Sequence, residues 1–269
     1  MLDDKRITQY LERISADRPH RPDLDALRHL QERHVLSVPW ETLALRFGDE
    51  IPLDERILEK VVDRRRGGGC CEVNPALYFL LQSLGFEVTV HQGRVWIIDG
   101  FTPPFNHLVL KVRLDGVSWL VDVGFGKMSR YPLRLGSTEP QLDPHGEFST
   151  RRVEPDATEV IRDGKLLYRF YDAPVELSDF VYTLWWYRTS PDASPRHHLL
   201  CSMPSENGWT TLKNDTLTLT TPEGTEVTKL ADDAEVIAAL DKWFGVKIDE
   251  LPEKGPYEQH PLRMSFEMD

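Results

Sequence analysis

The sequence predicts an α+β fold: helices first, an antiparallel sheet or barrel in the middle, and a mixed strand-and-helix portion last. Two observations carry this. Apolar residues recur with a helical period of about 3.6 up to Gly85 and with a strand period of about 2 after it. Turn signals, Asp115-Gly116 and Pro222-Glu223-Gly224, then separate runs rich in β-formers. The 269 residues are ample for a core and allow one large domain or two to three small ones. We divide the chain at 1–85, 86–200 and 201–269.

In chain order, Ile7, Tyr10, Leu11 and Ile14 share one helix face, and Pro19 and Pro22 end that segment. Asp23 suits an N-cap for a second helix with Leu24, Leu27 and Leu30 inward, a pattern that fades toward Val38-Pro39. Residues 53–64 read as a short third helix stopped by Gly67-Gly68-Gly69, a run expected to turn tightly with positive φ. A fourth helix carries Leu77, Leu80, Leu81 and Leu84, with Gly85 as its C′ stop. Strands are expected at 86–98, 107–123, 148–154, 158–162, 165–171 and 179–188, with Trp185-Trp186 in the barrel core. In the last third, residues 216–220 and 225–230 flank a hairpin turn. Val236, Ile237, Leu240, Trp243 and Phe244 form a helical stripe stopped by Gly245, and the Pro-rich tail from Leu251 reads as irregular.

Composition excludes several function classes. Acidic residues number 44 against 32 basic ones, a formal net charge of −12, which argues against a general nucleic-acid binder. No apolar run approaches the ~18 residues of a membrane span. The opening MLDDKRITQYLERI is charged where a secretory signal needs an apolar core, so a cytoplasmic protein is expected. The three cysteines, Cys70, Cys71 and Cys201, form no disulfide framework and lack zinc-ligand spacing, so no metal is expected. His197-His198 reads as an exposed loop, and Arg64-Arg65-Arg66 as a solvated face rather than a phosphate patch.

The densest chemistry lies in Arg66-Gly67-Gly68-Gly69-Cys70-Cys71-Glu72-Val73-Asn74-Pro75, a glycine turn running into a helix. Either Asn74 is the N-cap with Pro75 at the first helical position, or the helix starts a few residues earlier with Cys70 in or beside its first turn. Both put the thiol at the positive end of the helix dipole, which favours a thiolate. A second piece is the hairpin 107–123. Centring its turn on Asp115-Gly116 pairs residues whose numbers sum to 231 and makes one face wholly apolar: Leu108, Leu110, Val112, Leu114, Val117, Trp119, Val121 and Val123. In that register His107 and Asp122 are diagonal neighbours on one face, within ~7–8 Å from backbone to backbone, a gap their side chains can close to a hydrogen bond. An imidazole oriented by a carboxylate can take a proton from a thiol.

These residues resemble the arylamine N-acetyltransferases: Arg66-Gly67-Gly68-Gly69-Cys70-x-Glu72-x-Asn74, then His107, then Asp122-Val123-Gly124-Phe125-Gly126. Upstream, Val38-Pro39-Trp40-Glu41-Thr42-Leu43 is similar to that family's Pro-Phe-Glu-Asn-Leu stretch. The resemblance implies an N-terminal helical bundle, a central antiparallel β-barrel and a C-terminal α/β lid, the first two forming a core like that of cysteine proteases and transglutaminases. It implies Cys70 as nucleophile, His107 as base and Asp122 as its orienting partner. Acetyl-CoA would acetylate Cys70, and an aromatic amine, hydrazine or hydroxylamine would take the acetyl group in a metal-free ping-pong reaction. Gly124 and Gly126 would line the CoA cleft, Phe125 would pack on the acceptor ring, and Asn106 would touch substrate. The protein would be a monomer or homodimer. An amide synthase acting on a thioester chain with the same triad, or a cysteine hydrolase or transglutaminase, are the competing readings. Gly69 and Cys71 replace the family's larger residues, Trp40 and Thr42 its usual Phe and Asn, and Arg66 with Glu41 reads as a buried structural ion pair.

Overall fold

The computed structural model describes residues 1–252 except 99, 138 and 192. Helix α1 (Asp4–Ile14) buries the expected Ile7, Tyr10, Leu11 and Ile14, and the Asp3 carboxylate caps it by accepting from Arg6 N. Helix α2 (Leu24–Val35) is capped by Asp23, which accepts from Ala26 N at 2.9 Å. Strand β1 (Trp40–Glu41) and the short helix α3 (Leu43–Phe47) follow. The helix expected at 53–64 is cut down to turns and one wide π-turn, Glu59–Asp63. Lys60 C=O there accepts from Arg66 N, so the backbone is already bending into the glycine loop. Helix α4 (Cys70–Ser83) ends at Leu84, with Gly85 in the left-handed region as expected.

The sheet that follows is antiparallel throughout. Its strands are β2 (Glu87–Ile97), β3 (Gly100–Phe101), β4 (His107–Leu114), β5 (Val117–Val121), β6 (Leu133–Arg134), β7 (Gln141–Asp143), β8 (Gly146–Glu154), β9 (Ala157–Arg162) and β10 (Lys165–Val175), in the order β6-β5-β4-β2-β10-β9-β8-β7 with β3 beside β2. The order nearly closes on itself. Gln141 on β7 bridges the gap by accepting from Arg134 N and donating to Arg134 O on β6. The β4–β5 register is the expected one, Leu110 with Val121 through Leu114 with Val117, and Asp115 and Gly116 both turn with positive φ. Its apolar face supplies Leu108, Leu110, Val112, Val121 and Val123 to the main core under the helices. The opposite face puts Val109 and Leu120 among Phe148, Val160, Tyr168 and Phe170 inside the barrel. Both faces are thus buried, and β4 fills both cores.

Residues 179–188, expected as a strand, are helical. A 3-10 turn at Leu177–Phe180 leads into α5 (Val181–Thr189). Leu184 and Tyr187 face inward, whereas Trp185 is 63% exposed, so the tryptophan pair is not barrel core. Aromatic richness mimicked β-propensity here; the inward residues are three apart, a helical spacing. The short α6 (Ser194–His197) holds His197, half-buried rather than in an exposed loop, with Nε2 2.7 Å from Pro191 O. A second antiparallel sheet runs β1-β11-β12-β13-β14, with β11 (Leu200–Ser205), β12 (Gly208–Lys213), β13 (Thr216–Thr221) and β14 (Gly224–Lys229). Helix α7 (Asp233–Phe244) packs Val236, Leu240 and Phe244 against Cys201, Leu212 and Leu217, and Gly245 stops it. β1 pairs with β11, and Glu41 N donates to Gly68 O, so the segment beside the glycine loop is tied to the last third. The tail expected to be irregular lies, beyond Pro252, outside the described residues.

Candidate active site

Cys70 is the first residue of α4, so the second of the two helix starts is the one formed, and Asn74 lies inside the helix. Gly69 is the N-cap, and its N–H donates to Glu72 Oε2 at 2.9 Å. None of Gly67, Gly68 and Gly69 is left-handed, and close packing accounts for the first two. A Cβ on Gly67 would lie 1.8 Å from Pro39 O, and one on Gly68 2.6 Å from Glu72 Cβ. Behind the loop sits a buried ionic cluster. Arg66 Nη2 meets Glu41 Oε1 at 3.0 Å, and Lys60 Nζ bridges Glu41 to Glu72. Glu41 Oε2 also accepts from Leu43 N. Arg66 therefore leaves the basic triplet for the interior, while Arg64 and Arg65 stay exposed.

His107 opens β4. The residue two before it, Phe105, holds a left-handed φ of 62°, with its N–H on Gln92 Oε1. This bend turns Asn106 and His107 toward Cys70. His107 Nε2 lies 2.8 Å from Asp122 Oδ2, which leaves Nδ1 for the thiol. Asp122 stands just past β5, and its other oxygen accepts from Asn74 Nδ2 and Gly124 N, both at 2.9 Å. Asn74 also donates to Leu108 O at 2.7 Å and accepts from Val123 N at 2.8 Å. One buried amide thus ties α4, β4 and the Asp122 loop together. Gly124 completes the contact, since a Cβ there would sit 2.5 Å from Cys70 Cα.

The electrostatics follow from this packing. The Cys70 thiol is pushed well below its ordinary value. The Cys71 thiol, 3.9 Å away, hydrogen-bonds the anion; the His107 ring and Leu108 N–H add to this, against the cost of burial. Burial opposes an imidazolium at His107, but the charge and hydrogen bond of Asp122, joined by Cys70, raise it to about 10. Burial also opposes the Asp122 carboxylate, and the His107 charge with the bonds from His107, Asn74 and Gly124 hold its pKa below the usual range. These directions all favour a thiolate–imidazolium–carboxylate array over three neutral groups.

Cys70, Cys71, Asn106, His107, Gly124 and Phe125 all line one cavity of about 70 Å³. Gly126, buried with φ 86°, turns the loop just beyond it. The Phe125 ring lies edge-on to His107 at 5.2 Å. Two tyrosines missed in the sequence complete the site, Tyr187 in the cavity wall and Tyr168 behind His107. Tyr168 on β10 lies 4.6 Å from His107, ring to ring, with its hydroxyl facing Asp122. Tyr187 on α5 accepts from Asn106 Nδ2 at 2.6 Å. No local pattern marks either one; only the order of strands and the helical reading of 177–189 bring them in. Asn74 did carry a signal, because residues four apart on a helix share a face. Among the described residues no helix is long and apolar enough to cross a membrane, and no cluster of three or more His, Cys, Asp or Glu could hold a metal ion.

A helical bundle that presents a cysteine to a histidine on an adjoining barrel is the architecture of a cysteine-protease-like fold. The N-acetyltransferase family matches residues 23–252. The arylamine N-acetyltransferase of Escherichia coli K12 is 32% identical over 252 residues, covering 91% of this chain and 90% of that one. The solved enzyme from Salmonella typhimurium superposes with a TM-score of 0.86 at 28% identity, covering 95% and 96%. That of Mycobacterium marinum in complex with CoA gives 0.83 at 31%, covering 89% and 92%. The chain belongs to the arylamine N-acetyltransferase family and is an acyltransferase.

Proposed function

We propose that the protein transfers acetyl from acetyl-CoA to aromatic amines, hydrazines or hydroxylamines by a ping-pong route through acetyl-Cys70. The observation that carries this is the half-buried Cys70 at a helix N-terminus beside the buried His107–Asp122 pair, opening on a cavity with room for about two waters' volume. That room suits a two-carbon acyl group. The Cys70 thiolate attacks the thioester carbonyl, and the CoA sulfur leaves with the proton that His107 holds. The amine then attacks the new thioester. Neutral His107 takes one N–H proton, the C–S bond breaks, and the thiolate–imidazolium pair is restored. Asp122 keeps its charge throughout and holds the ring.

In this scheme CoA enters past Gly124, whose lack of a side chain lets the loop lie against Cys70, and past Gly126, whose positive φ turns the loop. Phe125 meets the acceptor ring. Lys127, next in the chain after Gly126, lines a cleft of about 770 Å³ with Arg162, Lys165 and Lys213 and the acids Asp163 and Asp215, and its cations are the groups this scheme offers to the CoA phosphates. The M. marinum enzyme solved with CoA supports the choice of donor. The test is an intact mass after mixing the protein with acetyl-CoA and no amine. An acetyl adduct that disappears in Cys70→Ala and remains in Cys71→Ala is expected. No adduct, or one that survives Cys70→Ala, refutes the assignment.

A further inference from the structure

Asn106 is 7% exposed, and its Oδ1 has no hydrogen-bond partner, although the residue lines the cavity that holds Cys70 and His107. A buried acceptor left unpaired costs about 1–3 kcal/mol. Its orientation is not free, since Nδ2 donates to the Tyr187 hydroxyl at 2.6 Å and Tyr187 is itself buried on α5. Its backbone is fixed too, by the left-handed Phe105 before it and by β4 after it. We propose that Tyr187 locks the Asn106 amide so that Oδ1 accepts a hydrogen from the attacking nitrogen, which makes this pair a selector for acceptors carrying two N–H bonds.

The selection follows from counting hydrogens. It rests on the acyl-transfer reading above. When nitrogen attacks acetyl-Cys70, its lone pair forms the C–N bond and the C–S pair returns to sulfur. One N–H proton passes to His107 Nδ1, and the second hydrogen stays on nitrogen in the amide product. That retained hydrogen is the one Asn106 Oδ1 would hold during attack, aiming the lone pair at the carbonyl carbon. A secondary amine or a hydroxyl acceptor brings a single hydrogen. His107 needs it, and Asn106 is left unpaired beside an apolar substituent. Tyr187 touches no reacting atom in this scheme and is a positioning residue.

The experiment uses acetyl-enzyme formed from acetyl-CoA and freed of CoA, then mixed with aniline or with N-methylaniline. Loss of the acetyl adduct is followed by mass, and the ratio of the two rate constants is the readout, so that changes common to both acceptors cancel. Asn106→Ala is expected to lower the aniline-to-N-methylaniline ratio about tenfold, the size of one hydrogen bond lost in a buried site. Tyr187→Phe should lower the same ratio a few-fold with Asn106 in place, and it reads the proposal even where Asn106→Ala does not fold. Ratios equal to wild type in these variants overturn the selector while leaving acyl transfer intact. A wild-type protein that forms no acetyl-enzyme overturns the acyl-transfer reading itself, and the selector with it.

Discussion

Asn74→Ala tests whether one amide holds the site together. The side chain is fully buried and makes three bonds, to Leu108 O, Asp122 Oδ1 and from Val123 N. Truncation leaves the Val123 N–H without its partner in the interior and takes from Asp122 one of two donors on the oxygen away from His107. Each orphaned buried group costs about 1–3 kcal/mol, more where a carboxylate is involved. The Leu108 carbonyl counts for less, since it has a second lone pair. About 3–5 kcal/mol is the expected loss, about a fifth or more of a typical domain's stability of about 5–15 kcal/mol. At about 2–4 °C per kcal/mol the melting temperature should fall by roughly 10 °C. Thermal and urea unfolding of the purified variant against wild type measure both quantities. A loss below about 1 kcal/mol, with acetylation of Cys70 at the wild-type rate, would show that the three bonds are incidental.

Three further outcomes are expected. Alkylation of Cys70 by iodoacetamide should be nearly flat between about pH 6.5 and 8.5, where a free thiol of pKa ~8.5 gains about fifty-fold in thiolate. His107→Gln should restore that rise, and a wild-type profile that already climbs like a free thiol contradicts the ion pair. Stability should depend on pH with a definite sign. His107, raised to about 10, stabilises fully below its unfolded value of ~6.5 and loses that contribution as pH climbs through about 10. Asp122, lowered, stabilises above ~3.9 and loses its contribution as pH drops through its folded value. The melting-temperature gap between wild type and Asp122→Asn should therefore be widest near pH 4–6.5; a gap independent of pH argues against the pair. Gly124→Ala puts a Cβ 2.5 Å from Cys70 Cα, so about 1–3 kcal/mol of overpacking and at least a tenfold slower acetylation are expected. Wild-type kinetics in that variant would mean the loop yields without moving the thiol.

Much of this site was legible because short-range rules determine it. The Asp115-Gly116 turn sets the β4–β5 register, and the register puts His107 and Asp122 on one end of one face. The glycine run and Cys70 mark a helix start, although the reason for the glycines lay elsewhere. Gly67 is small because the Pro39 carbonyl presses on it from β1's approach, a contact between segments that no local pattern shows. Tyr168 and Tyr187 were illegible for the same reason. Tyr168 is an aromatic in a barrel strand like several others, and Tyr187 sits in a segment whose aromatic content imitated a strand. Its role appears only once α5 is a helix that turns Leu184 and Tyr187 toward the cavity.

The ionic cluster behind Cys70 makes a last demand on the sequence, and it separates two glutamates that look alike. Burial works against charge at Glu41, yet Lys60 and Arg66, with Leu43 N–H, hold its pKa below the usual range. Glu72 is pushed the other way, first by burial and then, against the pull of Lys60, by the Glu41 charge. Glu41 is thus the anion that both cations depend on, and Glu72 is the carboxyl that tolerates a proton. Glu41→Gln should leave Lys60 and Arg66 under-compensated in the interior and cost about 3–5 kcal/mol. Glu72→Gln resembles the protonated form, can still accept from Gly69 N, and should cost about 1–2 kcal/mol. It should also keep the thiolate, because the groups that favour it, Cys71, His107 and the Leu108 N–H, are untouched. Urea unfolding of the two variants gives the order directly. If Glu72→Gln proves the more damaging, the charge assignment is inverted. If Glu41→Gln abolishes acetyl transfer with its unfolding midpoint unchanged, Glu41 acts in the chemistry rather than in holding the loop.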